Sequence, residues 1–270
     1  MNKYNETSDR QLWPLLEGEN WVEFLAYLGT SPLAESSFAD DLTWVITGVD
    51  DNTYNGVVRT RLSTSVADRA IIEVLERFRV RKVPHLWYIA RADQPADLAQ
   101  RLEAHRCKRL DAGVGMAADL LALHEQIRPV PGLRVERVKD EAGLASSFDA
   151  HPDFDEHAVS EHLQLYISLG LEGDRALRFY VAKIGEQVVG GFGLFAGSRA
   201  VGIYDVHVVS HMQRQGIGTA MTLAALHEAR QLDYRLAVLG PTPISIKMYE
   251  RLGFVLHHST QVCYYLPLEE

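Results

Sequence analysis

Gln213-Arg-Gln-Gly-Ile-Gly-Thr-Ala220 is the stretch whose residue types and spacing carry chemistry most directly. It follows the β-rich run Val201–Val209 and leads into a long apolar helical pattern. A strand, a glycine turn and a helix N-terminus together form an anion site. Free backbone N–H groups point outward there, and the helix dipole favours negative charge. Gly216 and Gly218 let the backbone approach a phosphate without a Cβ in the way. The N–H groups of Gln215, Gly216, Ile217, Gly218 and Thr219 are the expected cradle, with Gln213 and Arg214 at its edge. The loop lacks the Lys-Ser/Thr of a P-loop and the third glycine of a dinucleotide fingerprint. By itself it reads equally well as an ordinary strand-to-helix turn.

The strand ahead of the loop holds two groups suited to proton transfer. A period of two puts Val201, Ile203, Asp205, His207 and Val209 on one face, with Asp205 and His207 as its polar exceptions. A free imidazole titrates near pH 6.5, which suits a base at neutral pH, and Asp205 would orient it or relay through water. The plainer reading is that the two face solvent or satisfy one another structurally. No metal is expected. His257 and His258 project to opposite faces of any strand, and no Cys or acidic set completes a tetrahedral site around His207 and His211. The loop from Asp149 to His157 carries four carboxylates, which either attract a cationic ligand or form a solvated loop with a helix-capping acid.

The elements that must position these residues read as an alternating α/β chain. Leu133–Val138 is a strand, followed by helices over Asp140–Ala150 and Glu156–Leu169. Arg178–Ile184 and Val188–Phe195 are strands joined by the turn Gly185-Glu186. After the central strand Val201–Val209 come helix Gly216–Leu232, strand Arg235–Leu239, the break Gly240-Pro241, helix Ile244–Leu252 and strand Gln261–Leu266. In the first half, Leu42–Thr47, Asn55–Arg59 and Pro84–Ala90 read as strands, and Asp68–Arg79 and Pro95–His105 as helices. Ile127-Arg-Pro-Val-Pro-Gly132 reads as a linker, giving domains at 1–126 and 133–270.

The order strand, Gln-x-x-Gly-x-Gly, helix, strand, helix, Tyr249-Glu-Arg-Leu-Gly253-Phe254 resembles the coenzyme A half of the GNAT acetyltransferases. The resemblance runs from about Leu133 to the C-terminus. The first half more loosely resembles the degenerate N-terminal domain of tandem GNAT proteins, because it holds neither motif; an unrelated α/β cap is the competing reading. This implies an α/β fold with a mixed, mostly antiparallel central sheet flanked by helices, preceded by a smaller degenerate domain. It also implies acetyl-CoA as cofactor, with its pantetheine arm paired beside Val206 and Val208. Val208 N–H then becomes the candidate oxyanion donor, and Tyr249 the proton donor to the leaving thiolate. The family usually carries Asn seven residues before that tyrosine and Ala four before it; Thr242 and Ser245 stand there. Thr242 keeps a hydroxyl and is a helix-capping type. How the arm is held at that point is left open. Many family members use a water chain instead of one base.

Composition narrows the partners. The 270 residues carry 27 basic and 36 acidic side chains, a net charge of −9. That argues against sequence-independent nucleic-acid binding and suits a cationic small-molecule amine. The polar start carries no apolar signal core, no run approaches a membrane span, and two separated cysteines imply no disulfide framework. A cytoplasmic N-acetyltransferase is the expectation, with a homodimer as one assembly. The alternatives are a protein or peptide acetyltransferase, or a coenzyme A-binding or interaction module without turnover.

Overall fold

Among the described residues two β-sheets organise the chain, one of six strands and one of seven. The computed structural model describes Thr7 and residues 9–110 and 113–267. Helix α1 spans Trp13–Leu28, followed by β1 (Glu35–Phe38), β2 (Leu42–Ile46) and β3 (Asn55–Thr60). Next come α2 (Ala67–Arg81), β4 (Leu86–Ile89), α3 (Leu98–Ala104), β5 (Lys108–Leu110) and β6 (Val114–Asp119). The second half holds β7 (Leu133–Arg137), α4 (Glu141–Phe148), α5 (Glu156–Leu169), β8 (Leu177–Ile184), β9 (Gln187–Ala196) and β10 (Val201–Val208). It ends with α6 (Ile217–Gln231), β11 (Leu236–Leu239), α7 (Ile246–Glu250), β12 (Val255–His258) and β13 (Val262–Tyr265).

The chain divides into two compact units that interleave in sequence. One takes the residues up to Trp21, Val114–Leu163 and Gly170–His258; the other takes Val22–Gly113, Gln164–Leu169 and the chain beyond His258. In the second of these, the strands run in the order β1-β2-β3-β4-β13-β5. Its core joins Trp44, Ile46, Val57 and Trp87 of the sheet to Ile71, Val74, Leu75 and Phe78 of α2. Those helical residues recur at the spacing of a buried stripe, which is why the sequence pattern revealed α2. The final strand β13 pairs with β4 through Val262↔Ile89 and with β5 through Cys263↔Leu110. It therefore closes the six-stranded sheet and not the sheet built by the strands just before it.

The seven-stranded sheet runs β12-β6-β11-β10-β9-β8-β7. It is mixed and mostly antiparallel: only β10 and β11 run parallel, at Val201↔Ala237 and Gly202↔Val238. Strand β6, which periodicity did not reveal, fills the place between β11 and β12. Its buried Met116, Ala117 and Ala118 are apolar on both faces, so no alternation marks it. Helix α1 was also invisible to pattern: Pro14 and Gly18 interrupt it, although proline is tolerated in a first turn. Buried Ile217, Met221, Ala225 and Leu226 seat α6 on one face of this sheet with Val201, Ile203, Leu194 and Met116. No helix among the described residues is long and apolar enough to cross a membrane.

Candidate active site

The glycine loop sits where β10 ends and α6 begins. Gly216 is the N-cap of α6 with φ +86°, a left-handed conformation that a Cβ disfavours. The Gly216 carbonyl accepts from Ala220 N–H, so the N–H groups of the first turn, Ile217 to Thr219, have no intrahelical acceptor. A Cβ on Gly218 would stand 3.2 Å from Met248 Sδ and 3.8 Å from a Val208 methyl, so glycine keeps this approach open.

Beyond Gly202 the pairing of β10 with β11 ends, leaving one edge of β10 open. Val209 N–H donates to the Val189 carbonyl on β9 at 3.0 Å. Alternation along an extended chain turns the Val208 N–H to the other, open edge. The Val208 carbonyl accepts from Gln213 Nε2 at 3.0 Å.

Loop, open edge and α7 enclose a cleft of about 510 Å³. Val206, Val208, Gln213, Arg214, Gly216, Ile217, Gly218, Thr219, Thr242, Ser245 and Tyr249 all line it, eleven of the expected cofactor residues. Gln215 does not; its side chain turns back to the His211 carbonyl at 3.4 Å. The structure adds Met212, Ile244, Met248 and Arg251 to the walls. Arg214 and Arg251 have no carboxylate partner among the described residues, leaving two cations beside the N-terminus of α6. Arg251 was legible, since it lies inside the Tyr249–Phe254 motif.

Tyr249 is held by the way α7 stops. Phe254 N–H returns to the Tyr249 carbonyl and Gly253 N–H to Glu250, with Gly253 at φ +102°. This is the paired C-terminal closure that glycine permits. Burial pushes the Tyr249 phenol up to about 12, so it stays protonated at neutral pH. Thr242 does not cap α7: Ser245 is the N-cap residue, and the Thr242 hydroxyl donates to Ser245 Oγ at 3.1 Å.

His207 and Asp205 lie elsewhere. A β-bulge between Tyr204 and His207 inserts one residue, so Tyr204 faces Gly193 while His207 faces Gly191. The inserted residue reverses the alternation. Val208 rejoins the face of Val201 and Ile203, and His207 moves to the opposite face with Gly202 and Tyr204. Asp205 takes φ +53° at the bulge. His207 is buried, with Nδ1 2.9 Å from the Asp205 backbone carbonyl and Nε2 3.0 Å from the Ser147 carbonyl. Burial lowers its pKa against the pull of both carbonyls. Both ring nitrogens face acceptors, so no lone pair is presented to the cleft. The single-face reading of these residues is thus corrected by one bulge.

The acidic loop ahead of α5 contains the helix-capping acid that the sequence offered. Asp155 caps α5 by accepting from Ala158 N–H at 2.8 Å. His151 stacks on Phe154 at 3.9 Å and tilts toward His207 at 4.5 Å. Burial pushes His151 down to about 4, so this aromatic cluster is neutral at pH 7. Among the described residues no group of His, Cys, Asp or Glu could hold a metal ion.

A family model described as Acetyltransferase (GNAT) family matches residues 144–254, from within α4 to Phe254. Residues 144–254 are a GNAT-family segment. The loop, the open β10 edge and Tyr249 all lie inside this GNAT segment, whereas α1 and β6 lie outside it. The solved structures that the whole chain resembles share its fold. A GCN5-related N-acetyltransferase from Kribbella flavida is 15% identical with a TM-score of 0.69, over 94% of this chain and 96% of its own. A tandem GNAT protein from the clavulanic acid biosynthesis pathway is 13% identical with a TM-score of 0.60, over 97% and 94%. A GCN5-related N-acetyltransferase from Sphaerobacter thermophilus is 14% identical with a TM-score of 0.54, over 86% and 75%. No curated sequence matches the chain. The chain shares its fold with a tandem GNAT protein, and the match to the GNAT family model falls in its second half.

Proposed function

We propose that the protein is an acetyl-CoA-dependent N-acetyltransferase acting on a primary amine of a small molecule. The observation that carries this is the single cleft shared by the α6 N-terminus, the open edge of β10 and the Tyr249 ring. The residues present suit the cofactor. Free N–H groups at Ile217–Thr219, with Arg214 and Arg251, match a pyrophosphate. Met212, Met248 and Ile244 offer an apolar wall, and Val206 and Val208 an unpaired strand edge. Bound acetyl-CoA would supply the acyl thioester.

The chain's own groups then divide the work. Val206 and Val208 hold the arm as an added strand would be held, and Gln213 keeps the loop against β10. Val208 N–H is the donor for negative charge developing on a carbonyl oxygen. Tyr249 delivers a proton to the departing sulfur. Residues 133–270 supply this cleft, and 1–126 is read as a degenerate GNAT-like domain without a coenzyme A site. An acidic chain of net charge −9 favours a cationic acceptor.

Thermal denaturation with and without acetyl-CoA tests the cofactor, and thiol release over amino acids, polyamines and aminoglycosides tests the transfer. Stabilisation without thiol release identifies a binding module and overturns the enzymatic reading. Tyr249→Phe is expected to keep acetyl-CoA binding within about twofold and lower kcat about 100-fold. Parental kcat in that variant rules out Tyr249 as the acid.

A further inference from the structure

The first turns of α1 lie on the sheet face opposite α6. Trp13 and Leu16 pack there with Ala117, Ala200, Leu236 and Val238. One turn on, Asn20 donates from Nδ2 to the Ala200 carbonyl at 2.9 Å and accepts from the Tyr204 hydroxyl at 2.7 Å. The Trp21 ring is 5.8 Å from that of Tyr204. Between these contacts lies Glu17. A Cβ on Gly115 would stand 2.9 Å from Glu17 Cδ and 2.6 Å from His257 Cε1, so both side chains lean over the same bare backbone.

The register says where that is. Met116 pairs with Leu239 on one side and Leu256 on the other, so Gly115 and His257 lie just past the last paired residue of β11. This is the end at which β11 has already parted from β10, after Gly202↔Val238. One face of α1 therefore spans from β12 to β10 across the fork of the sheet, and Glu17 is the carboxylate on it.

Glu17 has no hydrogen bond or ion pair among the described residues, whereas Glu19 on the same helix pairs with Arg199. The imidazole Nε2 of His257 is buried without a partner. From β12 the titratable group facing Glu17 is His257; β6 presents Gly115 and apolar Ala117, and β10 presents Tyr204, already bonded to Asn20. Burial pushes the Glu17 carboxyl up to about 7, where it exchanges a proton at neutral pH. A half-buried carboxylate without a donor is destabilising, and an ammonium beside it relieves that cost.

We propose that Glu17 is the base that takes the acceptor ammonium's proton at the fork of β10 and β11, a role resting on the acetyltransferase reading above. One N–H proton passes to a Glu17 oxygen and later leaves to solvent. The freed nitrogen lone pair forms the C–N bond at the thioester carbonyl carbon, and the C–S bond breaks. The second N–H proton, lost as the amide forms, balances the proton that the sulfur takes up. His257 lies beside the carboxylate over Gly115.

The test uses the full chain and its Glu17→Gln variant, which preserves shape and removes the titrating group. Carboxyl-labelled glutamate NMR on the coenzyme A-bound protein is expected to show one resonance with a midpoint near pH 7, missing in Glu17→Gln. Saturating spermidine, or whichever amine of the panel is turned over, is expected to move that midpoint down, because an ammonium stabilises the carboxylate. Glu17→Gln is expected to keep its acetyl-CoA thermal shift, lose about 100-fold in kcat and lose the limb of the rate profile near pH 7. Glu17→Asp is expected to restore part of that limb. A midpoint indifferent to amine, or a Glu17→Gln variant with parental kcat and limb, overturns the assignment while leaving acetyl transfer intact. A parent that binds acetyl-CoA but acetylates nothing overturns the acetyltransferase reading, and the base with it.

Discussion

Gln213 Nε2 lies 3.0 Å from the Val208 carbonyl, so the first side chain of the glycine loop closes back onto the strand that leads into it. The two residues both line the cleft, and their bond fixes the loop's height above the β10 edge. Gln213→Ala removes that tie and leaves the exposed carbonyl to water. Acetyl-CoA affinity is expected to fall about 3- to 10-fold, the worth of one ordinary hydrogen bond. Titration calorimetry reads this, and unchanged affinity would mean the loop holds its place without Gln213.

Gly216 caps α6 at φ +86°. An alanine there must adopt a left-handed conformation, at a cost of about 1–2 kcal/mol. The nearest side-chain atom to a new Cβ is a Val130 methyl at 3.6 Å, ordinary contact, so backbone strain and not collision is the cause. Gly216→Ala is expected to lower the unfolding free energy by that amount in urea titration. A loss of acetyl-CoA stabilisation should accompany it, because the helix N-terminus shifts.

His207 is expected to act structurally. Its Nδ1 and Nε2 lie against the carbonyls of Asp205 and Ser147, and its removal opens a void and takes the donor from whichever carbonyl receives the single N–H of the neutral ring. His207→Ala should cost about 2–4 kcal/mol in stability. The pH dependence of kcat in the surviving protein should keep its midpoint. A midpoint that moves would return His207 to the proton-transfer path.

His85 supplies a pH-dependent stability term in the six-stranded unit. It is buried and stacks on Phe78 at 4.1 Å. Burial pushes its pKa down to about 4, below the value near 6.5 expected when unfolded. Between those values the unfolded chain binds the proton and the folded chain does not, so stability falls as pH drops from about 6.5 toward 4. The full term is about 3 kcal/mol. Urea unfolding of the parent and His85→Phe at pH 7.5 and 5 isolates it: the variant should lose less stability than the parent on acidification. Equal losses would mean that His85 is protonated in the folded state.

Much of the cleft was readable because its parts are local. Glycines at 216 and 218, a helix start at 217 and a tyrosine four residues before Gly253 are neighbours in sequence, and backbone stereochemistry alone relates them. Helix α2 was readable for the same reason, from apolar residues repeating at helical spacing. Strand β6 was not, since Gly115, Met116, Ala117 and Ala118 are all buried, with no polar alternation between faces to detect. Helix α1 was hidden by Pro14 and Gly18, and with it the only reason to look at Glu17.

The sequence by itself determined an α/β chain with a glycine-bounded turn at a helix N-terminus and a tyrosine followed four residues later by a helix-ending glycine, because short-range spacing and backbone freedom suffice for those. Tertiary structure decided which face each β10 side chain takes, since a single bulge after Tyr204 reverses every residue beyond it. It also decided that β13 joins β4 and β5, and that Glu17 meets His257 over Gly115. Those relations join residues up to 240 positions apart, and only the closing of two sheets brings them together.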